Sequence, residues 1–371
     1  MDVLIIGEYS GFSKNLKSGL EQLNCRTMII SNGDGWKLIK AGENDLQFEY
    51  KLGYKLLGKK IRGSWRLKAL VKFVLLNIRI QSVKNSFDLV ILINYEFIRT
   101  TNELSPKLTI NQIKRLTKKG GSIFLTACGN DLPYLSEASK MRYWPYMGLS
   151  LDKNIYFSTR YKKVFYELPF LINGVIPTMY DYAFAYRQCK EAQDLSILKT
   201  IPLPIDCSKI VVQKIANKKL RVFHGINRVE MKGSDIIQEA LESIEEKYIS
   251  KVDVVIANRL PFDEYINLLA SADIVIDQCK TYSYGMNAIY AMALGKVVFS
   301  GNEDECGYEF KRNDIPIINI RPNKEDIISR IEEFINQPQK LVKYQLKSRQ
   351  FVEDFHDAKI VANQYLDLLR K

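Results

Sequence analysis

The sequence predicts an α/β protein made of two doubly wound halves, each built on a parallel sheet. Three observations carry that expectation. Short apolar runs at Val3 to Ile6, Thr27 to Ile30, Asp88 to Asn94 and Ser122 to Thr126 alternate with helical periodicity, and such alternation builds parallel sheets covered by helices. The rhythm stops at Ile201-Pro202-Leu203-Pro204-Ile205-Asp206 and restarts at Leu220, where the prolines stiffen an extended connection. At 371 residues, 46% of them hydrophobic, the chain is too long for one ordinary core and holds apolar material for two.

Bulk properties narrow the classes. The six cysteines are scattered without C-x-x-C pairs or neighbouring histidines, so neither a disulfide framework nor a zinc site is indicated, no metal is expected, and a reducing cytosol is the expected home. The opening MDVLIIGEYSG runs straight into a strand without a leader pattern. The most hydrophobic helical run, Ala69 to Ile80, is too short to span a bilayer and carries Lys72 and Arg79. A formal net charge of +12 implies an anionic partner: nucleic acid, nucleotide phosphates or an anionic membrane surface. From Tyr50 to Phe87 there is no acidic residue, and Lys59, Lys60, Arg62 and Arg66 interleave with Trp65, Leu70 and Phe73. That composition suits an interfacial helix on anionic lipid, and it also suits a solvated helix packed on the first sheet. No nucleic-acid module pattern is present, so nucleic acid is not expected as a partner.

The elements follow in order. After the first strand, Gly7 to Gly11 forms a loop with two glycines, weak support for phosphate binding because many such turns use glycine only for close packing. A helix through Leu16, Leu20 and Leu23 follows, then the strand at Thr27 and the polar loop Ser31 to Gly35. Beyond the basic stretch come the Asp88 strand, a helix from Ile110 to Lys119, and a strand running into Cys128-Gly129-Asn130-Asp131. Asp131 leaves the carboxyl end of a strand, where such sheets place their sites; its other reading is a cap for the next turn. The aromatic-rich segment Phe157 to Arg187 reads as core.

In the second half the strand Leu220 to His224 is followed by a turn carrying Arg228 and Lys232, ahead of a helix expected near Ser234. Two cations in one turn at a helix start make a pocket suited to a diphosphate, or they are two solvated cations on a surface turn. His224 is as readily a satisfied structural histidine as a contact. A strand at Val254 to Ala257 leads through Arg259-Leu260-Pro261-Phe262 to another helix. Asp273 to Ser300 then reads as strand, loop, helix and strand, with Asp277 and Gln278 ending the first strand at the cleft. Gly285 is expected at a sharp turn, so that the N–H groups of Met286, Asn287 and Ala288 face an anion. Glu303, Asp304 and Glu305 are expected in a solvated loop, and Glu325 to Leu369 as helix.

The Asp273 to Ser300 segment resembles the donor-binding turn of retaining, nucleotide-sugar-dependent glycosyltransferases of the GT-B fold, the group 1 or family 4-like type. Gly285, Ala291, Met292, Ala293 and Gly295 fall on that motif, and Arg228, Lys232 and Gly233 resemble the pair that holds the donor pyrophosphate. The Cys128 to Asp131 turn is similar to the family's His-Gly-x-Asp loop. The resemblance implies catalytic roles for Arg228, Lys232 and Asp131, and donor contacts at Gly11, His224, Asp277, Tyr282, Gly285, Met286, Asn287 and Tyr290. Tyr282 and Tyr290 align with the family's two glutamates, and a phenol is a neutral hydrogen-bond partner without the charge-assisted bond. Further implications are an N-terminal domain over 1–205 including the basic stretch 50–87, a nucleotide-sugar domain over 206–345, and a helix over 346–371 crossing back. They extend to a nucleotide sugar as donor with no cofactor, a glycan or lipid-linked glycan acceptor, and a cytoplasmic protein peripheral to the membrane through Lys59, Lys60, Arg62, Trp65 and Arg66. The competing readings are a non-catalytic GT-B-like partner of an active transferase, and an epimerase or hydrolase on the same fold.

Overall fold

The computed structural model describes residues 1–34, 37, 39–40, 42–48, 55–56, 59–60, 71, 74–75, 78–94, 106–151, 154–212, 218–226, 229–258 and 260–370. In the first half these form β1 (Asp2–Ile6), α1 (Phe12–Gln22), β2 (Arg26–Ser31), β3 (Leu46–Gln47), a two-stranded pair β4 (Lys55–Leu56) and β5 (Lys59–Lys60), β6 (Phe87–Ile93), α2 (Pro106–Leu116), β7 (Thr117–Ala127), α3 (Leu132–Glu137), α4 (Thr159–Glu167), β8 (Gly174–Pro177) and α5 (Tyr180–Gln188). The first sheet runs β3-β2-β1-β6-β7-β8 with every described pairing parallel. Val3 to Ile6 and Leu89 to Ile93 are buried, as near-continuous apolar strands covered on both faces must be.

The second half adds β9 (Leu220–Ile226), a short helix α6 (Val229–Lys232), α7 (Ser234–Lys247), β10 (Val252–Asn258), α8 (Phe262–Ser271), β11 (Ile274–Ile276), α9 (Met286–Ala293), β12 (Val297–Ser300), α10 (Asp304–Phe310), β13 (Ile318–Asn319), α11 (Lys324–Asn336), α12 (Gln339–Phe351) and α13 (Ala358–Asp367). Its sheet runs β10-β9-β11-β12-β13, again parallel. In each sheet the order reverses beside the first strand of that half, between β1 and β6 and between β9 and β11. A crevice opens outside the carboxyl ends of strands at such a reversal, which is where ligands bind in this class.

The C-terminal segment returns to the first half. Ile205 exchanges backbone hydrogen bonds with His356 and Ala358, each 2.8 Å, and α13 then lies along α1. At the crossing Gly19 stands against the backbone carbonyl of Ala358, where any Cβ would collide. Tyr365 of α13 reaches the first sheet, its hydroxyl 3.0 Å from Thr126 Oγ1.

Some expectations shift. The helix expected over Ile110 to Lys119 is Pro106–Leu116, and β7 takes up Thr117 onward because Thr117 pairs with Phe87. Glu303 is not solvated: it is 3% exposed and its carboxylate takes Arg321 Nε at 2.8 Å and Nη2 at 3.0 Å, Arg142 Nη2 at 2.8 Å, Tyr143 Oη at 2.6 Å and Asn319 Nδ2 at 2.9 Å. Asp304 and Glu305 open α10 rather than a loop, acids in a first helical turn complementing its dipole. Of the aromatics in Phe157 to Arg187, Tyr161, Phe165, Tyr182 and Tyr186 are buried and Phe157, Tyr180 and Phe184 pack against the core, while Tyr166 and Phe170 face out.

Candidate active site

The cleft wall in the second half grows from the turns after β9 and β11. Beyond Ile226 the chain closes α6 and reaches Gly233, held left-handed at φ 69, where a Cβ would meet Cys279 Sγ. This brings Lys232, 8% exposed, to the cleft with Nζ donating to Gly225 O and Asp277 Oδ1, each at 3.0 Å. Asp277 is fully buried and also accepts Asn287 Nδ2 at 2.9 Å. Burial alone would raise its carboxyl pKa, but the Lys232 ammonium and the Asn287 amide outweigh it and hold the group below its usual value. Behind them Tyr265 packs on Gly225 and donates its hydroxyl to Asn287 Oδ1.

Gly285 caps α9 in extended backbone, φ −115 and ψ −172, so the sharp turn expected there is absent. A Cβ would meet Asp277 Oδ2 only at 3.8 Å, an ordinary contact, and the bare position faces open space. Gly285, Met286 and Asn287 thus line a cavity of 180 Å³ with Lys232 and Asp277. The first N–H groups of α9 have no intrahelical carbonyl to meet and carry the positive end of its dipole. The opposite wall comes from the first half through Ser10, Lys37, Cys128, Gly129 and Tyr182. A small side cavity bounded by Leu260, Phe262, Tyr265 and Tyr290 adjoins it.

The loop after β1 departs from the expectation of a phosphate site. Glu8, 6% exposed, turns its carboxylate onto the start of α1 and accepts the N–H groups of Ser13 at 3.3 Å and Lys14 at 3.0 Å. The anion position at that helix is already filled by the chain itself. Burial, with the nearby charge of Asp34, pushes Glu8 up to about 7 despite those bonds. Gly11 caps α1 at φ 86 and lies against the Tyr290 hydroxyl rather than the open cleft.

Several other expected contacts are turned inward. Asp131 is fully buried, caps α3 by accepting Tyr134 N at 2.9 Å, and takes the Tyr186 hydroxyl at 2.8 Å, so the capping reading holds and Cys128 and Gly129 border the cleft in its place. Burial raises its pKa to about 7. His224 is buried with Nδ1 2.8 Å from Ile276 O and Nε2 2.9 Å from Ser234 Oγ; a carbonyl only accepts, so Nδ1 carries the proton and the ring joins β9, β11 and α7. Tyr282, 3% exposed, accepts Arg142 N at 3.0 Å and Nε at 2.8 Å. The Tyr290 hydroxyl accepts Asn15 Nδ2 at 2.8 Å. Both phenols that align with the family's glutamates therefore bond across to the first half. Arg228 lies outside the described residues, as do Arg62, Trp65, Arg66 and the side chains of Lys59 and Lys60.

Sequence reasoning passed over Lys37, Tyr265 and Arg142. Lys37 had a signal, a cation just past the end of a strand neighbouring β1. Tyr265 and Arg142 had none, since their partners Asn287 and Glu303 lie 22 and 161 residues away.

No protein-family model and no curated protein sequence matches the chain. Solved structures do. Sucrose-phosphate synthase from Thermosynechococcus elongatus superposes at TM-score 0.64 with 14% identity, over 100% of this chain and 98% of that one. HepE from Anabaena, in complex with UDP and glucose, gives TM-score 0.59 at 12% identity over 100% and 99%. A glycosyltransferase from Rickettsia africae gives 0.56 at 13% over 100% and 97%. The two parallel sheets and the returning helix are those of the GT-B fold, matched over the full length of the chain.

Proposed function

We propose that the protein is a GT-B glycosyltransferase that moves a sugar from a nucleoside diphosphate sugar to an acceptor hydroxyl. One observation carries the reading: Lys232 and the start of α9 at Gly285 to Asn287 border one cavity at the strand-order reversal between β9 and β11. As the sugar departs, negative charge grows on the diphosphate, and a preorganised ammonium with aligned amides stabilises it in the transition state. Arg228 completes the charge in this reading, Asp277 and the Gly225 carbonyl hold Lys232, and the step calls on no metal. The HepE structures hold UDP, with glucose or as UDP-glucose, which supports a uridine nucleotide as the first donor to try.

The finer reading is a retaining hexosyltransferase whose acceptor is a glycan or lipid-linked glycan of a bacterial surface polysaccharide, working in the cytoplasm against the membrane through the basic stretch 50–87. The net charge of +12 supports the anionic surface. Among the described residues no helix is long and apolar enough to cross a membrane. Domain limits at 205 and 345 belong to the same proposal.

A panel of nucleoside diphosphate sugars, read by diphosphate release, tests it. Lys232→Ala is expected to lower kcat/KM by about 100-fold, the scale of removing one transition-state donor, and to lower the melting temperature as well, because the buried Asp277 loses its cation; full activity of the variant refutes the assignment. The engagement of Tyr282 and Tyr290 with Arg142 and Asn15 favours a second reading, a non-catalytic partner of an active transferase. Calorimetric titration with UDP and GDP sugars separates the two, because such a partner binds neither.

A further inference from the structure

Lys37 is a cation that the diphosphate reading leaves unused. It follows β2 in the first half, and its Nζ donates to Ser10 Oγ at 2.6 Å and Asp34 Oδ2 at 2.5 Å. The same Asp34 oxygen accepts the backbone N–H of Ser10 at 2.7 Å, so one carboxylate ties the lysine to the loop after β1. The Lys37 side chain is 16% exposed and borders both the cleft and its side cavity. An ammonium has three N–H groups. Ser10 and Asp34 account for two.

Lys232 borders the same cavity from the other half, 10% exposed at the side chain and held in the same way by Asp277. Two ammonium groups on opposite walls of one 180 Å³ space can each give an anion placed there a charge-assisted hydrogen bond. Each is oriented by a local carboxylate, Asp34 for Lys37 and Asp277 for Lys232. At the start of α1 the amides are already taken by Glu8. Among the described residues of the first half that line the cavity, Lys37 is the cation.

We infer that Lys37 is a diphosphate-binding residue, contributed by the first half and meeting phosphate oxygens from the side opposite Lys232. The inference rests on the reading of this cleft as a diphosphate site and adds a residue that no family pattern in the sequence marked. Since the two cations belong to different halves, a diphosphate between them pulls the halves together. A nucleoside, lacking the charge, does not.

Calorimetric titration with UDP, GDP, inorganic pyrophosphate, uridine and guanosine tests it on wild type, Lys37→Met, Lys37→Arg and Lys232→Met. Lys37→Met is expected to weaken the diphosphates and pyrophosphate about tenfold or more, the scale of one charged hydrogen bond. Nucleoside binding is expected to stay, and Lys37→Arg to keep most of the affinity. Because Lys37→Met leaves Asp34 unpaired, the double variant Asp34→Asn with Lys37→Met restores the local charge balance and is expected to share the loss. Diphosphate affinity unchanged in Lys37→Met but lost in Lys232→Met overturns the role of Lys37 and leaves the cleft reading standing. If Lys232→Met is also unaffected, or wild type binds no diphosphate, the cleft reading falls and this inference with it. Nucleosides lost in parallel with diphosphates, in both Lys37→Met and the double variant, overturn it as a folding effect.

Discussion

Asp131 shows how burial converts a residue that reads as an acid of the cleft into a structural one. Its carboxylate, raised to about 7 by desolvation, binds a proton more tightly folded than unfolded. Its contribution to stability is therefore fully present below about 3.8, the unfolded value, and is lost as pH rises through about 7. Asn keeps the cap without the charge, so Asp131→Asn is expected to gain on wild type as pH rises from 4.5 to 7.5. Paired melting curves at those two values check it, and a constant difference between the proteins would show that Asp131 does not titrate in that window. Lys232 was legible because a cation before a glycine at a helix start has a recognisable spacing. The inward turn of Tyr282 was not, since nothing near it in sequence names Arg142 as its partner.

Among elements, the strands of both sheets and their helices stand close to where their apolar runs placed them, because a strand buried on both faces needs an apolar run. The function of a loop between two such elements is another matter. Gly7 to Gly11 and Gly285 to Asn287 both follow a strand and open a helix, yet Glu8 blocks the first and the second stays open. Helix crossing is likewise a pair property. Gly19 admits the backbone of Ala358 where α1 and α13 meet, and a carbonyl cannot rotate aside as a side chain can. Gly19→Ala is expected to cost about 1 to 3 kcal/mol, the range of overpacking a fitted contact. Urea unfolding measures it, and a loss under about 0.5 kcal/mol, ordinary for a surface change, would mean the two helices separate freely.

At the scale of the molecule, the halves are joined around Glu303. Arg321 and Asn319 come from its own half, Arg142 and Tyr143 from the other. Burial would raise the Glu303 pKa, but these bonds and the Arg321 charge hold it at about 2. If the halves part, Arg321 and Asn319 still satisfy the carboxylate, while Arg142, 56% exposed at the side chain, returns to water. Arg142→Met is expected to cost no more than about 1 kcal/mol, since half-exposed ion pairs are weak, yet to raise the radius of gyration in solution scattering without ligand. An unchanged radius would show that other contacts hold the halves. By itself the sequence determined two parallel α/β halves, because periodicity and turn chemistry act over a few residues, while the returning helix was legible only through the family resemblance. Only the tertiary structure decided which carboxylates are spent inside the protein and which cations reach the cleft, because burial and charge pairing depend on partners brought together from distant parts of the chain.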